Sequence, residues 1–280
     1  MQSLISIWIE MFSYAFLVRA LIVGLLVALC AALLGVSLVL KRYSMIGFGL
    51  SQVGFCALGI ATALHKAPLL ITIPTVGLAA FLLMRLRDSN RIQGDAAIAL
   101  MSTSALAIGI IVISATTGMN TDVCNYLFGS ILAMSREDVY LSIALGVTVL
   151  ILFVFFYSKI FAVTFDETFA RATGTRAGIY NALVSLLTAL TIVLGMRMMG
   201  ALLISSLITF PALTSMRICK RFWTVVLCSV VVSVVCYCIG LTLSYVYSLP
   251  SGAIIVGMNV VAFLLFSGVS LIAAFRRASA

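Results

Sequence analysis

Apolar residues run along this chain in long blocks, and polar or basic residues fall in short groups between them. A helix that crosses a bilayer needs about 20 mostly apolar residues. On that rule the blocks near 18–40, 46–64, 68–86, 96–117, 139–163, 179–196, 198–216, 222–246 and 254–275 predict spans. The short pair 179–196 and 198–216 leaves room for a broken or re-entrant piece, so eight or nine spans are expected. The pattern predicts an all-α, polytopic transmembrane helical bundle. Residues 1–17 read as an interfacial N-terminal helix and residues 18–280 as the transmembrane domain. Trp8, Phe12, Tyr14 and Phe16, with Glu10 among them, suit a helix at the membrane surface. Met1 to Arg19 lacks the basic start and small-residue cleavage site of a signal peptide, so no cleavage is expected.

Three polar segments interrupt the blocks. Thr117–Asp138 is too apolar over Tyr126–Ala133 for a plain loop and is expected to dip back or lie flat at the outer side. Thr164–Gly178 carries helix formers and predicts a short inner helix, and Met216–Trp223 predicts a tight basic turn. Pro74 and Pro211, inside the third and seventh spans, are expected to kink or open their helices.

Composition agrees with a bilayer as solvent. Of 280 residues, 64% are hydrophobic and 9% charged, with a mean hydropathy of +1.27. A soluble domain carries about 25% charged residues. The net charge of +9 does not point to nucleic acid, because the basic residues are scattered in turns rather than gathered on one face or arm. They report orientation instead. With the C-terminus inside and nine spans, the inner side holds Lys41, Arg42, Arg85, Arg87, Arg91, Lys159, Arg171, Arg176, Arg217, Lys220, Arg221, Arg276 and Arg277. The outer side holds only Arg19, Lys66, Arg136 and Arg197. That asymmetry places the N-terminus outside and the C-terminus in the cytoplasm.

The chemistry of known enzymes is missing. No GxxxxGK[ST] phosphate loop occurs, so ATP hydrolysis is not expected on this chain. Gly47, Gly49 and Gly54 have the wrong spacing for a dinucleotide turn and predict close helix packing. The single histidine, His65, reads as a surface residue in an outer turn beside Lys66. None of the seven cysteines forms a CxxC pair, and Cys236 and Cys238 point to different sides of one helix. No ionisable side chain falls mid-span. An ion-gradient-driven secondary transporter would need buried ionisable groups and inverted repeats, and an intramembrane enzyme would need clustered His, Asp or Glu. The chain reads as a conduit energised from elsewhere.

Six segments in order carry a more specific signal: LVLKRYSMIGFGLSQVGFCALGIA (38–61), GDAAIALMSTSALAIGI (94–110), NYLFGSILAMSREDV (125–139), FDETFARATGTRAGIYNALVSLLTALTIV (165–193), MMGALLISSLITFPALTSMR (198–217) and LSYVYSLPSGAIIV (243–256). Together they resemble the permease subunits of the ABC-3 family, the membrane subunits of bacterial importers for zinc, manganese and iron. The resemblance implies a fold related to the vitamin B12-type ABC importer permeases, with residues 18–280 as the permease domain in a bacterial cell membrane. It implies as partners a second permease copy, as homodimer or heterodimer, two cytoplasmic ATPase subunits and an extracytoplasmic solute-binding protein. ATP and Mg would then sit on the ATPase, with no cofactor on this chain. By analogy with the vitamin B12-type permeases, the turn around Arg217, Lys220 and Arg221 is the first candidate for ATPase coupling. The helix bearing Asp166 and Arg171 is the second.

The chain departs from the family where a cation path is expected. The family's second span opens G-D-x-L-x-H, and an Asp and a His four apart share one helix face and suit zinc or manganese. Here the stretch reads G-F-G-L-S-Q, with Phe48 at the Asp position and Gln52 at the His position. The usual acidic residue before LPSGA is Ser248. A different path, a partner permease that carries the ligands, or a complexed metal as cargo each fits this loss of negative charge. Thioethers at Met196, Met198, Met199 and Met216, or Asp122 and Cys124 on the outer connection, are the remaining donors, with packing the plainer reading of the methionines.

Overall fold

The computed structural model describes residues 13–88, 94–116, 127, 129, 136–247 and 249–278. Its helices are α1 (Ala15–Leu40), α2 (Ser44–Ala63), α3 (Pro68–Asp88), α4 (Gly94–Thr116), α5 (Arg136–Phe155), α6 (Tyr157–Phe165), α7 (Glu167–Ala172), α8 (Ala177–Met199), α9 (Ala201–Ile218), α10 (Phe222–Tyr247) and α11 (Ser251–Ala278). Seven of them are long and apolar enough to cross a membrane, and Pro68–Leu83 and Leu203–Ile218 are shorter apolar helices. Residues 1–12, and with them most of the expected interfacial helix, lie outside the described residues, as does nearly all of the segment 117–135.

α2 sits inside the bundle, packed by α3, α4, α8 and α9, while α1 packs against α5, α8, α9 and α10. Lipid supplies no hydrophobic drive between helices, so close packing and interhelical hydrogen bonds hold them together. The glycines of α2 serve the first. A Cβ on Gly49 would stand 2.9 Å from Ile98 Cγ2, and one on Gly54 would stand 2.6 Å from Met196 Sδ. Gly47 is roomier, with Ile208 Cδ1 at 3.7 Å.

A ladder of hydroxyls serves the second. Ser229, Ser233 and Tyr237 of α10 donate to the carbonyls of Ala32 (3.4 Å), Ala28 (3.0 Å) and Ala20 (2.7 Å) of α1. Side-chain hydrogen bonds between membrane helices contribute about 0.6 kcal/mol each on average. Hydropathy gives no sign of this ladder, because Ser and Tyr barely alter the apolar average of a span.

One sequence expectation is corrected. The block 139–163 is not one helix: it breaks at Phe156 (φ −94°, ψ 10°) into α5 and α6. Beyond the break Tyr157, Phe161 and Phe165, spaced one turn apart, all meet the ring of Phe222, with centroids 5.7, 4.9 and 6.0 Å away. Pro74 and Pro211 stand inside α3 and α9, which run on through both. Each proline removes one backbone donor, and local hydroxyl bonds such as Ser215 Oγ to the Pro211 carbonyl (2.7 Å) accompany the run.

The pair α8 and α9 is two full helices joined by one residue. Gly200 takes φ 86° and ψ 157°, a conformation open in practice only to glycine. At that end Arg197 of α8 pairs with Asp138 of α5 at 2.7 Å, both side chains mostly buried.

Candidate functional site

Phe48 and Gln52 lie one turn apart on α2, and the fold treats them differently. Phe48 is 37% exposed, whereas Gln52 is fully buried. Among the described residues neither amide atom of Gln52 has a hydrogen-bond partner. A buried unsatisfied polar group costs about 1–3 kcal/mol, so this amide is held at a penalty in the middle of the bundle. Phe48 lines a cavity of about 420 Å³ between α2 and α9. Ser44, Ser205, Ser206 and Thr209 bring hydroxyls to it, and Met45, Phe48 and Phe210 complete the wall. The donors there are neutral oxygens and one thioether. Among the described residues no three His, Cys, Asp or Glu side chains gather into a cation site.

The other donors noted in the sequence are placed elsewhere. Met196 and Met199 are buried in the main core, and Met216 packs beside Phe222 and Val225. Nothing of the Met198 side chain is described, and Asp122, Cys124 and Ser248 fall outside the described residues. His65 is exposed in the turn that ends α2, at φ 50°. Cys236 is buried and donates to the Met258 carbonyl at 3.7 Å, while Cys238 is half-buried on another face.

One end of the bundle holds the residues read as coupling candidates. α9 ends and α10 begins across a short turn in which Arg217, Lys220 and Arg221 are exposed. The Arg217 guanidinium stands 5.7 Å from the Phe263 ring centroid, and its carbonyl accepts from Ser270 Oγ at 3.3 Å. The second candidate is a built helix. Asp166 caps α7, its carboxylate accepting from the Phe169 N–H at 2.9 Å and from Thr168 Oγ1 at 2.6 Å. Those bonds, that from Phe169 first, hold the Asp166 carboxyl below its usual range. Gly174 closes the helix at φ 81°, letting the Gly174 and Thr175 N–H groups reach the Arg171 and Ala170 carbonyls at 3.1 and 2.9 Å.

Behind α7 stands a polar chain that the sequence did not announce. Arg171 Nη2 donates to Glu167 Oε1 at 2.6 Å, Asn181 Nδ2 donates to Glu167 Oε2 at 3.1 Å, and Lys41 Nζ donates to Asn181 Oδ1. Partial burial works to raise the Glu167 carboxyl, but the bonds from Asn181 and Arg171 and the charges of Lys41 and Arg171 outweigh it, and the group is held low. Lys41 was counted only as an inside charge. In the sequence Asn181 is one polar residue near the head of an apolar block.

Comparison with known proteins gives the arrangement a family. The ABC 3 transport family matches residues 13–270. The chain is 27% identical over 256 residues to the manganese transport system membrane protein MntC of Halalkalibacterium halodurans, covering 91% of this chain and 88% of that protein. It is 31% identical over 262 residues to a protein of Thermotoga maritima named probable metal transport system membrane protein, covering 93% and 92%. Among solved structures, PsaBC from Streptococcus pneumoniae in complex with Fab superposes with a TM-score of 0.85 at 26% identity, covering 94% of this chain and 95% of that one. The chain, an all-helical multi-pass membrane protein and not an enzyme, belongs to the ABC 3 transport family.

Proposed function

We propose that this chain is the membrane-spanning permease of an ATP-driven importer that carries a divalent metal ion (manganese, zinc or iron) handed over by an extracytoplasmic binding protein. The observation that supports it most is the family match along nearly the whole chain, joined to relatives named for metal and manganese transport. The partners in this reading are a second permease copy, two cytoplasmic ATPase subunits that hold ATP and Mg, and the binding protein. The C-terminus lies in the cytoplasm, as the distribution of basic residues favours.

In this reading α2 lines the path at the face bearing Phe48 and Gln52, and α7 rather than the α9–α10 turn is the main ATPase contact. A capped, glycine-closed helix is a firmer lever than a turn of exposed cations. The neutral lining of the α2–α9 cavity favours a second form of the cargo, a metal carried with part of its ligand shell, since hydroxyls and a thioether bind a bare hard divalent cation weakly.

The test is uptake of radiolabelled manganese, zinc and iron, each as free ion and as a small chelate, into vesicles holding this chain, its ATPase and the binding protein. ATP-dependent uptake of at least one form is expected, lowered by Gln52→Ala. Uptake by this chain alone in ATP-free vesicles sinks the reading, and unchanged uptake of every form in Gln52→Ala separates α2 from cargo handling.

A further inference from the structure

We propose that Asn181 is a positioning residue that ties the inner helix α7 to the turn entering α2, so that a displacement of α7 is delivered to the helix bearing Phe48 and Gln52. The inference rests on the reading of α7 as the ATPase contact.

Three separate parts of the chain meet at this one side chain: α7 through Glu167, the start of α8 through Asn181 itself, and the C-cap of α1 through Lys41. The amide suits the place chemically. It must accept from an ammonium on one side and donate to a carboxylate on the other, and an uncharged carboxamide presents both groups at once. A carboxylate at position 181 would repel Glu167, and a cation would repel Lys41. The hydrogen bonds involved are of the charge-assisted kind, each with one ionised partner.

The Lys41 end of the link is stiff. The chain leaves α1 through a helix-ending turn in which the Arg42 and Tyr43 N–H groups donate to the Val39 and Leu38 carbonyls at 3.0 and 2.8 Å, with Arg42 in the left-handed region at φ 59°. α2 begins at once, at Ser44, so a pull on Lys41 has no slack loop in which to dissipate. Phe48 and Gln52 stand one and two turns into that helix. Glu167 in turn is held by Arg171 from within α7, so the acid side of the link moves with its helix. At the α9–α10 turn Arg217 instead meets α11: its carbonyl accepts from Ser270 Oγ at 3.3 Å and its guanidinium stands 5.7 Å from the Phe263 ring centroid.

Two readouts decide the proposal. In the assembled complex of this chain with its ATPase and binding protein, Asn181→Leu keeps the volume and removes both bonds. ATP hydrolysis is expected to stay within about twofold, while metal uptake per ATP falls about tenfold, the scale of losing charge-assisted bonds. The double variant Asn181→Asp with Glu167→Gln, which restores an acceptor for Lys41 and a donor facing it, recovers most of the ratio, whereas Asn181→Asp alone does not. Equal loss of hydrolysis and uptake, or no change in their ratio, overturns the proposal.

The second readout needs no cargo. Amide hydrogen exchange in the chain by itself is expected to quicken together in α7 and at residues 41–43 in Asn181→Leu, about tenfold, with residues 219–221 unaffected. Unchanged exchange at 41–43 overturns the link. If the unsubstituted complex imports no metal, the importer reading fails, and the exchange result still decides whether α7 and the α2 turn are joined.

Discussion

The connection from α6 to α8 and the turn from α9 to α10 emerge at the same end of the bundle, because α8 and α9 run in opposite directions across Gly200. Both carry basic residues, and on charge alone the α9–α10 turn is the stronger candidate, with Arg217, Lys220 and Arg221 close together. The structure separates them. The first connection holds a helix with a carboxylate cap, an internal ion pair, a glycine closure and a side-chain route to α1 and α2. The second has exposed cations and no carboxylate; Arg217 meets α11, one of the more exposed helices, and Phe222 at the start of α10 packs against the rings of α6. Positive charge at a span's end is what membrane insertion demands of any inner turn. A surface that must transmit force needs more: a rigid element, and acidic groups that can lock it to its neighbours.

The most severe challenge to this contrast is Gly174→Val. No atom lies within 4 Å of a Cβ built there, so the substitution crowds nothing, and its whole effect is backbone strain at φ 81°. A left-handed residue with a side chain costs about 1–2 kcal/mol, more when β-branched, which is enough to unwind a six-residue helix. Metal uptake by the complex is expected to fall about tenfold with the chain still present in the membrane, since 1.4 kcal/mol is a factor of ten. Gly174→Ala should fall less. Undiminished uptake in Gly174→Val shows that α7 need not be helical and removes the basis for preferring it.

How much of this was legible beforehand follows from what lipid demands. Nine apolar blocks were readable because each must satisfy its own backbone within the bilayer, and the charged ends were readable because they must stay outside it. A short helix within Thr164–Gly178 showed in its helix formers, although the helix itself spans only Glu167–Ala172. The break at Phe156 did not, because an aromatic run is uniformly apolar and only the position of Phe222, 66 residues on, gives it a reason. Gln52 was noticed as a departure from a pattern, but its burial without a partner depends on helices that crowd α2 from four sides. Asn181 is harder still. Its two partners lie 140 and 14 positions away, and no local pattern pairs an amide with a lysine and a glutamate at such distances.

Acid distinguishes the two connections at an intermediate scale. Glu167 and Asp166 both titrate below their ordinary range in the folded chain. A carboxyl with a lowered folded pKa contributes stability that is complete above its unfolded pKa, about 4 for these groups, and lost as pH falls through the folded value. Protection of α7 against amide exchange should therefore be flat from neutral pH down to about pH 5 and decline below about pH 4. In Glu167→Gln the decline should shrink to the part due to Asp166. The α9–α10 turn carries no carboxyl group, so its exchange, corrected for the intrinsic pH effect, should show no step in the same window. A shared step in both connections ties them into one cooperative unit and dissolves the contrast.

The smallest effect is expected where charge is densest. Lys220→Gln with Arg221→Gln removes two of the seventeen Lys and Arg residues and touches no hydrogen bond or ring contact described for either side chain. Exposed charges of this kind contribute about 0–1 kcal/mol to any single contact, and enough basic residues remain at Lys41, Arg42, Arg85 and Arg217 to hold the orientation. Uptake and ATP hydrolysis by the complex should each change by less than about threefold, and a tag at the C-terminus should keep the sidedness it has in the unsubstituted chain. A tenfold fall in uptake with hydrolysis intact transfers the coupling role to the α9–α10 turn. In that outcome the cap, the ion pair and the Asn181 bridge serve only to hold α7 against the bundle, and the firmer of the two connections is not the one that moves.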